Sequence, residues 1–152
     1  KRNQYISSLL YNKFTKYEID YSFCFGGRIL NGKLLEMYRN KIVNFHPAIL
    51  PLFPGIKSID QALNSKTFLL GNTAHFVDAG MDTGPVIMQS ILNRNSFKSY
   101  EDVLSLQLPM IYQIFCWLCE DRVKIQNDKV VITEANYDQT TYYPQLEINN
   151  EK

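Results

Sequence analysis

At 152 residues, the chain is long enough to bury a core as one domain. Its 16 basic and 15 acidic residues leave a net charge of +1, so no broad basic surface points to nucleic acid and a charged ligand must be met by local groups. Three cysteines, an odd count, suit a reducing and hence cytoplasmic setting better than a disulfide framework, and no apolar stretch reaches the roughly 20 residues of a membrane helix.

The chain begins Lys-Arg-Asn rather than with methionine, which leaves open whether further sequence precedes it. Residues 1–16 place apolar side chains at Tyr5 and Leu9, a weak helical stripe. Residues 21–25 (YSFCF) read as a buried strand running into Gly26 and Gly27, and residues 30–38 as a short helix. A second buried strand is expected over residues 41–45 (KIVNF), stopped by His46 and Pro47. Residues 47–55 hold three prolines and a glycine, which rules out a regular helix or central strand.

Residues 58–64 read as a helix capped by Ser58, followed by strands over 71–78 and 85–91. Ser99 and Asp102 form a capping-box start to an apolar run over 103–121, in which Pro109 predicts a kink or break. Residues 123–133 carry a hairpin signal around Gln126, Asn127 and Asp128, and the tail beyond 133 looks irregular. Strands alternating with helices predict an α/β fold with a partial, largely parallel Rossmann-like sheet flanked by helices and a C-terminal β-hairpin. None of the seven glycines forms a phosphate-cradling first turn.

Three polar residues stand out against this background. Asn44 and His46 alternate on one strand end and so share a face, where an amide and an imidazole make a donor pair for a developing oxyanion. Asp82, in the loop between two later strands, is placed to orient the imidazole or relay a proton. The bland alternatives are a structural histidine, an asparagine bonding its own backbone, and an ordinary turn over residues 82–84. Cys116 and Cys119 have Cys-x-x-Cys spacing but lie in an apolar helix with no second ligand pair, so they read as packing and no metal set is assigned.

The stretch NFHPAILPLFPG followed by GNTAHFVDAGMDTGPVIMQ resembles the core signature of the formyltransferases that use 10-formyltetrahydrofolate. Its elements occur in order at Asn44, His46, Leu50, Pro51, Gly55, Thr73, His75, Asp82, Gly84 and Pro85. FGGRIL at residues 25–30 is similar to that family's pterin-holding segment, and the likeness runs from residue 1 to about 133, leaving residues 134–152 as a tail.

The resemblance implies formyl transfer from 10-formyltetrahydrofolate to a small-molecule amine through a tetrahedral intermediate. Asn44 would bond the formyl oxygen, His46 would stabilise the oxyanion, and Asp82 would orient His46 and help move the amine proton. Arg28, Ile29 and Leu30, with Asp78, Ala79, Gly80 and Met81, would line the folate pocket. A cis peptide at Leu50-Pro51 is implied as well.

His75 reads either as core or as support of the site. Tyr142, Tyr143 and Pro144 are candidates for contact with a ligand or partner. The N-terminal phosphate-gripping turn of glycinamide ribonucleotide transformylases is missing, and Leu104 and Ser105 stand where those enzymes carry a Glu-His pair. The tail is faintly similar to amino-sugar formyltransferases. Three readings follow: a transferase acting on an amino-sugar nucleotide or glycinamide ribonucleotide, a formyltetrahydrofolate deformylase, or an inactive folate-binding remnant. Neither nucleic acid nor membrane is expected as a partner, and a homo-oligomer remains open.

Overall fold

The run Ile42–His46 (β2) is buried along its whole length in the computed structural model, which describes residues 1–138, 141–144 and 146–147. A strand covered on both faces is expected to be apolar throughout. Ile42, Val43 and Phe45 obey that rule; Asn44 and His46 do not.

Around β2 the chain runs through α1 (Arg2–Lys16), β1 (Ser22–Cys24), α2 (Lys33–Met37), α3 (Ser58–Asn64), β3 (Leu69–Phe76), β4 (Val86–Asn93), α4 (Tyr100–Leu104), α5 (Gln107–Cys119), β5 (Val123–Gln126), β6 (Lys129–Ile132) and β7 (Tyr142–Tyr143). The main sheet has the order β1-β2-β3-β4-β7, and β5 and β6 form a separate hairpin.

The α/β class, the flanking helices and the C-terminal hairpin agree with the sequence reading, but the expectation of a largely parallel sheet needs correction. Only β1 and β2 pair in parallel; β2 with β3, β3 with β4, and β4 with β7 are antiparallel. Parallel neighbours need a crossover of a dozen or more residues, which α2 and its flanks supply. The short loop over 77–85 folds β4 straight back on β3. The segment carrying α3 is long enough for a crossover yet joins antiparallel strands, a choice that helix–strand alternation does not encode.

The core lies between the sheet and α5, where Val43, Phe45, Ala74, Phe76 and Met88 meet Met110, Ile114 and Trp117. Each of the larger aliphatic and phenyl side chains here contributes roughly 1.5–3 kcal/mol when fully buried. The break foreseen at Pro109 falls earlier, between Leu104 and Gln107, so Pro109 stands in the first turn of α5, where no intrahelical N–H bond is lost. Taken together, Tyr100–Cys119 spans 20 residues and holds an 18-residue window with a mean hydropathy of 1.3, long and apolar enough to cross a membrane by length and composition. That corrects the view that no stretch qualifies. The apolar inner face of α5 packs on the sheet.

Two local expectations change. In α1, Tyr5 and Leu9 face solvent, whereas Leu10, Tyr11 and Phe14 pack against the cluster of Leu30, Leu34 and Ile42. Ser58 is not the N-cap of α3: Lys57 holds that position in the left-handed region, and the Ser58 hydroxyl donates to the Pro47 carbonyl at 3.1 Å. The capping box at Ser99 is present, with Asp102 accepting from the Ser99 amide at 2.7 Å.

Candidate active site

Strand register assembles the polar residues. Cys24 lies opposite Asn44 across β1 and β2, and Asn44 lies opposite His75 across β2 and β3. Directly opposed residues put their side chains on the same face, so these three stand in one row. One pair further along, His46 lies opposite Thr73. A bulge between β3 and β4, where Ala74 pairs with Met88 but His75 with Val86, bends the sheet beside this row.

Loops following β1, β2 and β3 flank the row and line a partly open cavity of about 320 Å³. Asn44, His46 and Asp82 all line it, as do Arg28, Ile29, Leu30, Asp78, Gly80 and Met81. Ala79 is not among the lining residues. The loop over 78–83 is internally bonded: Asp78 Oδ1 accepts from the Gly80 amide at 3.0 Å and from the Thr83 hydroxyl at 2.8 Å. Leu50-Pro51 is cis. The Pro-rich loop is stapled to the sheet by Thr73, whose hydroxyl accepts from the Leu50 amide at 3.0 Å and donates to the Ala48 carbonyl at 2.7 Å. Gln89 adds a bond to the Leu50 carbonyl at 3.0 Å.

Asp82 sits between two buried histidines. Its Oδ2 is 3.5 Å from His46 Nδ1, and its Oδ1 is 3.6 Å from His75 Nε2. The Gly55 amide donates to Oδ2 at 2.8 Å, and Asp82 itself adopts a φ of 55°, in the left-handed region. His46 Nε2 donates to the Phe53 carbonyl at 2.9 Å, and its Nδ1 is the nitrogen that faces Asp82.

His75 is 2% exposed and touches both Asn44 and Asp82, which makes it part of the polar cluster rather than plain core. Burial is the main cause that lowers its pKa below the ordinary histidine value, outweighing the Phe76 carbonyl and the Asp82 charge. Burial likewise pushes the Cys24 thiol up to about 11, with the Asp82 charge adding to it. A thiol held in that state is a poor nucleophile at neutral pH.

Cys24, Gly55, Thr73 and Gln89 therefore shape the site alongside the three residues read from the sequence. Gly55 and Thr73 carried a signal as motif members without a role; Cys24 and Gln89 carried none. Among the described residues, no group of three or more His, Cys, Asp or Glu is arranged to hold a metal. Cys116 and Cys119 are free thiols on α5. Tyr142 and Tyr143 pair with β4 through Ser90 and Gln89.

The family profile described as formyl transferase matches residues 2–104, which include Asn44, His46 and Asp82. The chain is 41% identical over 76 residues to phosphoribosylglycinamide formyltransferase of Bacillus subtilis, covering 50% of this chain and 39% of that protein. It is 29% identical over 109 residues to formyltetrahydrofolate deformylase of Haemophilus influenzae, covering 69% of this chain and 39% of that protein. The crystal structure of glycinamide ribonucleotide transformylase 1 from Symbiobacterium toebii superposes with a TM-score of 0.71 at 30% identity, covering 83% of this chain and 62% of the other. The chain thus spans about two fifths of the length of the curated relatives it matches.

Proposed function

The chain belongs to the formyl transferase family, and on that premise we propose that it passes the formyl group of 10-formyltetrahydrofolate to the amine of a small molecule. The observation that carries the reading is the convergence of Asn44, His46 and Asp82 on one cavity whose thiol, Cys24, stays un-ionised. Such a site offers hydrogen-bond donors and a proton acceptor without a protein nucleophile. It suits direct attack on an acyl carbon.

In the proposed reaction the amine lone pair forms a bond to the formyl carbon, and the carbonyl π pair moves onto oxygen. Asn44 Nδ2 has one hydrogen directed to His75; its second donates to the new oxyanion. His46 Nε2 exchanges the Phe53 carbonyl for the same oxygen. The Asp82 carboxylate, beside His46 Nδ1, takes the proton that attack leaves on the incoming nitrogen. Collapse then breaks the bond from carbon to the folate N10, which accepts a proton in turn, so the proton balance closes. Preorganised donors of this kind are each worth about 3 kcal/mol of barrier.

For the folate we assign Arg28, Ile29, Leu30 and the loop over 78–81, where apolar Ile29, Leu30 and Met81 flank the polar backbone of a bonded turn. The acceptor amine is an amino-sugar nucleotide or glycinamide ribonucleotide; the name of the Bacillus subtilis relative supports the second. Leu104, exposed at the end of α4, offers no acceptor for ribose hydroxyls and weighs against the second.

A hydrolase is the second reading, favoured by the alignment with a deformylase over 69% of the chain. Water would then replace the amine at the same carbon. Incubation with 10-formyltetrahydrofolate, with and without candidate amines, separates the two. Strictly amine-dependent loss of the formyl group supports the transferase, and formate release without amine supports the hydrolase. Folate binding with no turnover, in this chain and in any longer form of it, would sink both and leave an inactive binding remnant.

A further inference from the structure

Polar side chains in a sheet row can form a chain of hydrogen bonds with one direction, and the row Cys24, Asn44, His75 does so. The direction is set at one end by the Phe76 carbonyl, which can only accept. His75 Nδ1, 2.9 Å away, therefore carries a hydrogen. Burial disfavours the charged ring, and in the neutral ring Nε2 is then a lone pair. Asn44 Nδ2, 3.2 Å from Nε2, donates to it. That orientation turns Asn44 Oδ1 toward β1, where the Cys24 thiol lies at 3.4 Å as a donor. Four groups follow one polarity: thiol to amide oxygen, amide nitrogen to imidazole, imidazole to backbone carbonyl.

We infer that Cys24 is a positioning residue, whose S–H bond to Asn44 Oδ1 decides which end of the Asn44 amide faces the reacting centre. This rests on the formyl-transfer reading given above. An amide turned by 180° would set its oxygen against the His75 lone pair. It would also show a formyl oxygen a second lone pair instead of an N–H. His75 holds the nitrogen end of the amide and Cys24 holds the oxygen end. Cys24 is suited to this because it sits directly opposite Asn44 in the register and remains a thiol, with the hydrogen needed for donation.

The test pairs a spectroscopic readout with a kinetic one. The infrared S–H stretch of Cys24, identified by its loss in Cys24→Ala, should lie at a lowered wavenumber in the parent chain and rise in Asn44→Ala, which removes the acceptor. A band that stays put in Asn44→Ala overturns the inference. This measurement needs no turnover, so it stands or falls apart from the formyl reading. In the formyl-transfer assay, Cys24→Ala should lower kcat about fivefold, the worth of one neutral hydrogen bond, with KM for 10-formyltetrahydrofolate unchanged. Cys24→Ser keeps a donor and should recover part of that loss. Equal kcat in the parent chain and in Cys24→Ala would also overturn it, as would a Ser variant no better than Ala.

Discussion

The backbone amide of Gly55 donates to Asp82 Oδ2 at 2.8 Å, joining the Pro-rich loop after β2 to the loop between β3 and β4. The bond holds the carboxylate beside His46 and leaves its other oxygen near His75. Gly55 has a φ of +80°, a backbone state that side-chain-bearing residues adopt at a cost. One glycine conformation thus sets the position of the proposed proton acceptor.

Asp82→Asn keeps an acceptor for Gly55 but removes the negative charge. Turnover of 10-formyltetrahydrofolate should fall by about 100-fold or more, in line with the loss of a general base. His46→Ala should cost about 3 kcal/mol of barrier, again a hundredfold or more in rate. Steady-state assays on both variants check this, and near-normal turnover in His46→Ala would remove that residue from the mechanism.

Stability should fall as the solution becomes acidic through His75. Its pKa is lowered in the folded chain, so below the ordinary value of about 6.5 the unfolded chain binds a proton that the folded chain does not. Unfolding therefore becomes more favourable as pH drops below that point. Urea midpoints at about pH 7.5 and about pH 5.5 should differ less in His75→Gln than in the parent chain. An unchanged difference would show that another group carries the acid sensitivity.

Asn72 is fully buried and holds β3 to the start of α5. Its amide donates to the Ser90 hydroxyl at 3.0 Å and the Val103 carbonyl at 2.7 Å, and its oxygen accepts from Gln107 at 2.9 Å. Asn72→Leu preserves bulk but strands these partners away from water, so a loss of about 3 kcal/mol is expected by denaturant unfolding. Ser90→Ala, which removes one partner, should cost about 1 kcal/mol.

Two glycines should respond very differently to alanine. A Cβ at Gly84 would fall 1.8 Å from the Phe76 carbonyl oxygen, which is backbone and cannot swing away. Gly84→Ala must push apart the junction where the Phe76 amide bonds the Pro85 carbonyl, at a cost of about 2–3 kcal/mol. At Gly26 nothing lies within 4 Å, and Gly26→Ala should change stability by less than about 0.5 kcal/mol. Thermal melts of the two variants provide the comparison.

Much of this molecule was readable from local pattern. The run KIVNFHP announces a buried strand interrupted by two polar residues on one face, because alternation along a strand is a covalent fact. The three prolines of residues 47–55 exclude regular structure by removing backbone donors, and the motif containing Asn44, His46 and Asp82 pointed to the cavity those residues line.

What only the tertiary structure decided is how distant strands stand against each other. Register across β1, β2 and β3 brings Cys24 beside Asn44 and Asn44 beside His75, although 20 and 31 residues separate those pairs in the chain. The antiparallel turn from β3 into β4 was hidden for the same reason, since strand direction depends on how a connection packs and not on the residues of the strand. The Gly55 bond to Asp82 completes the point: residue types and spacing name the chemical groups, but their distances come from folding two loops against one sheet, and that balance is struck across the whole chain.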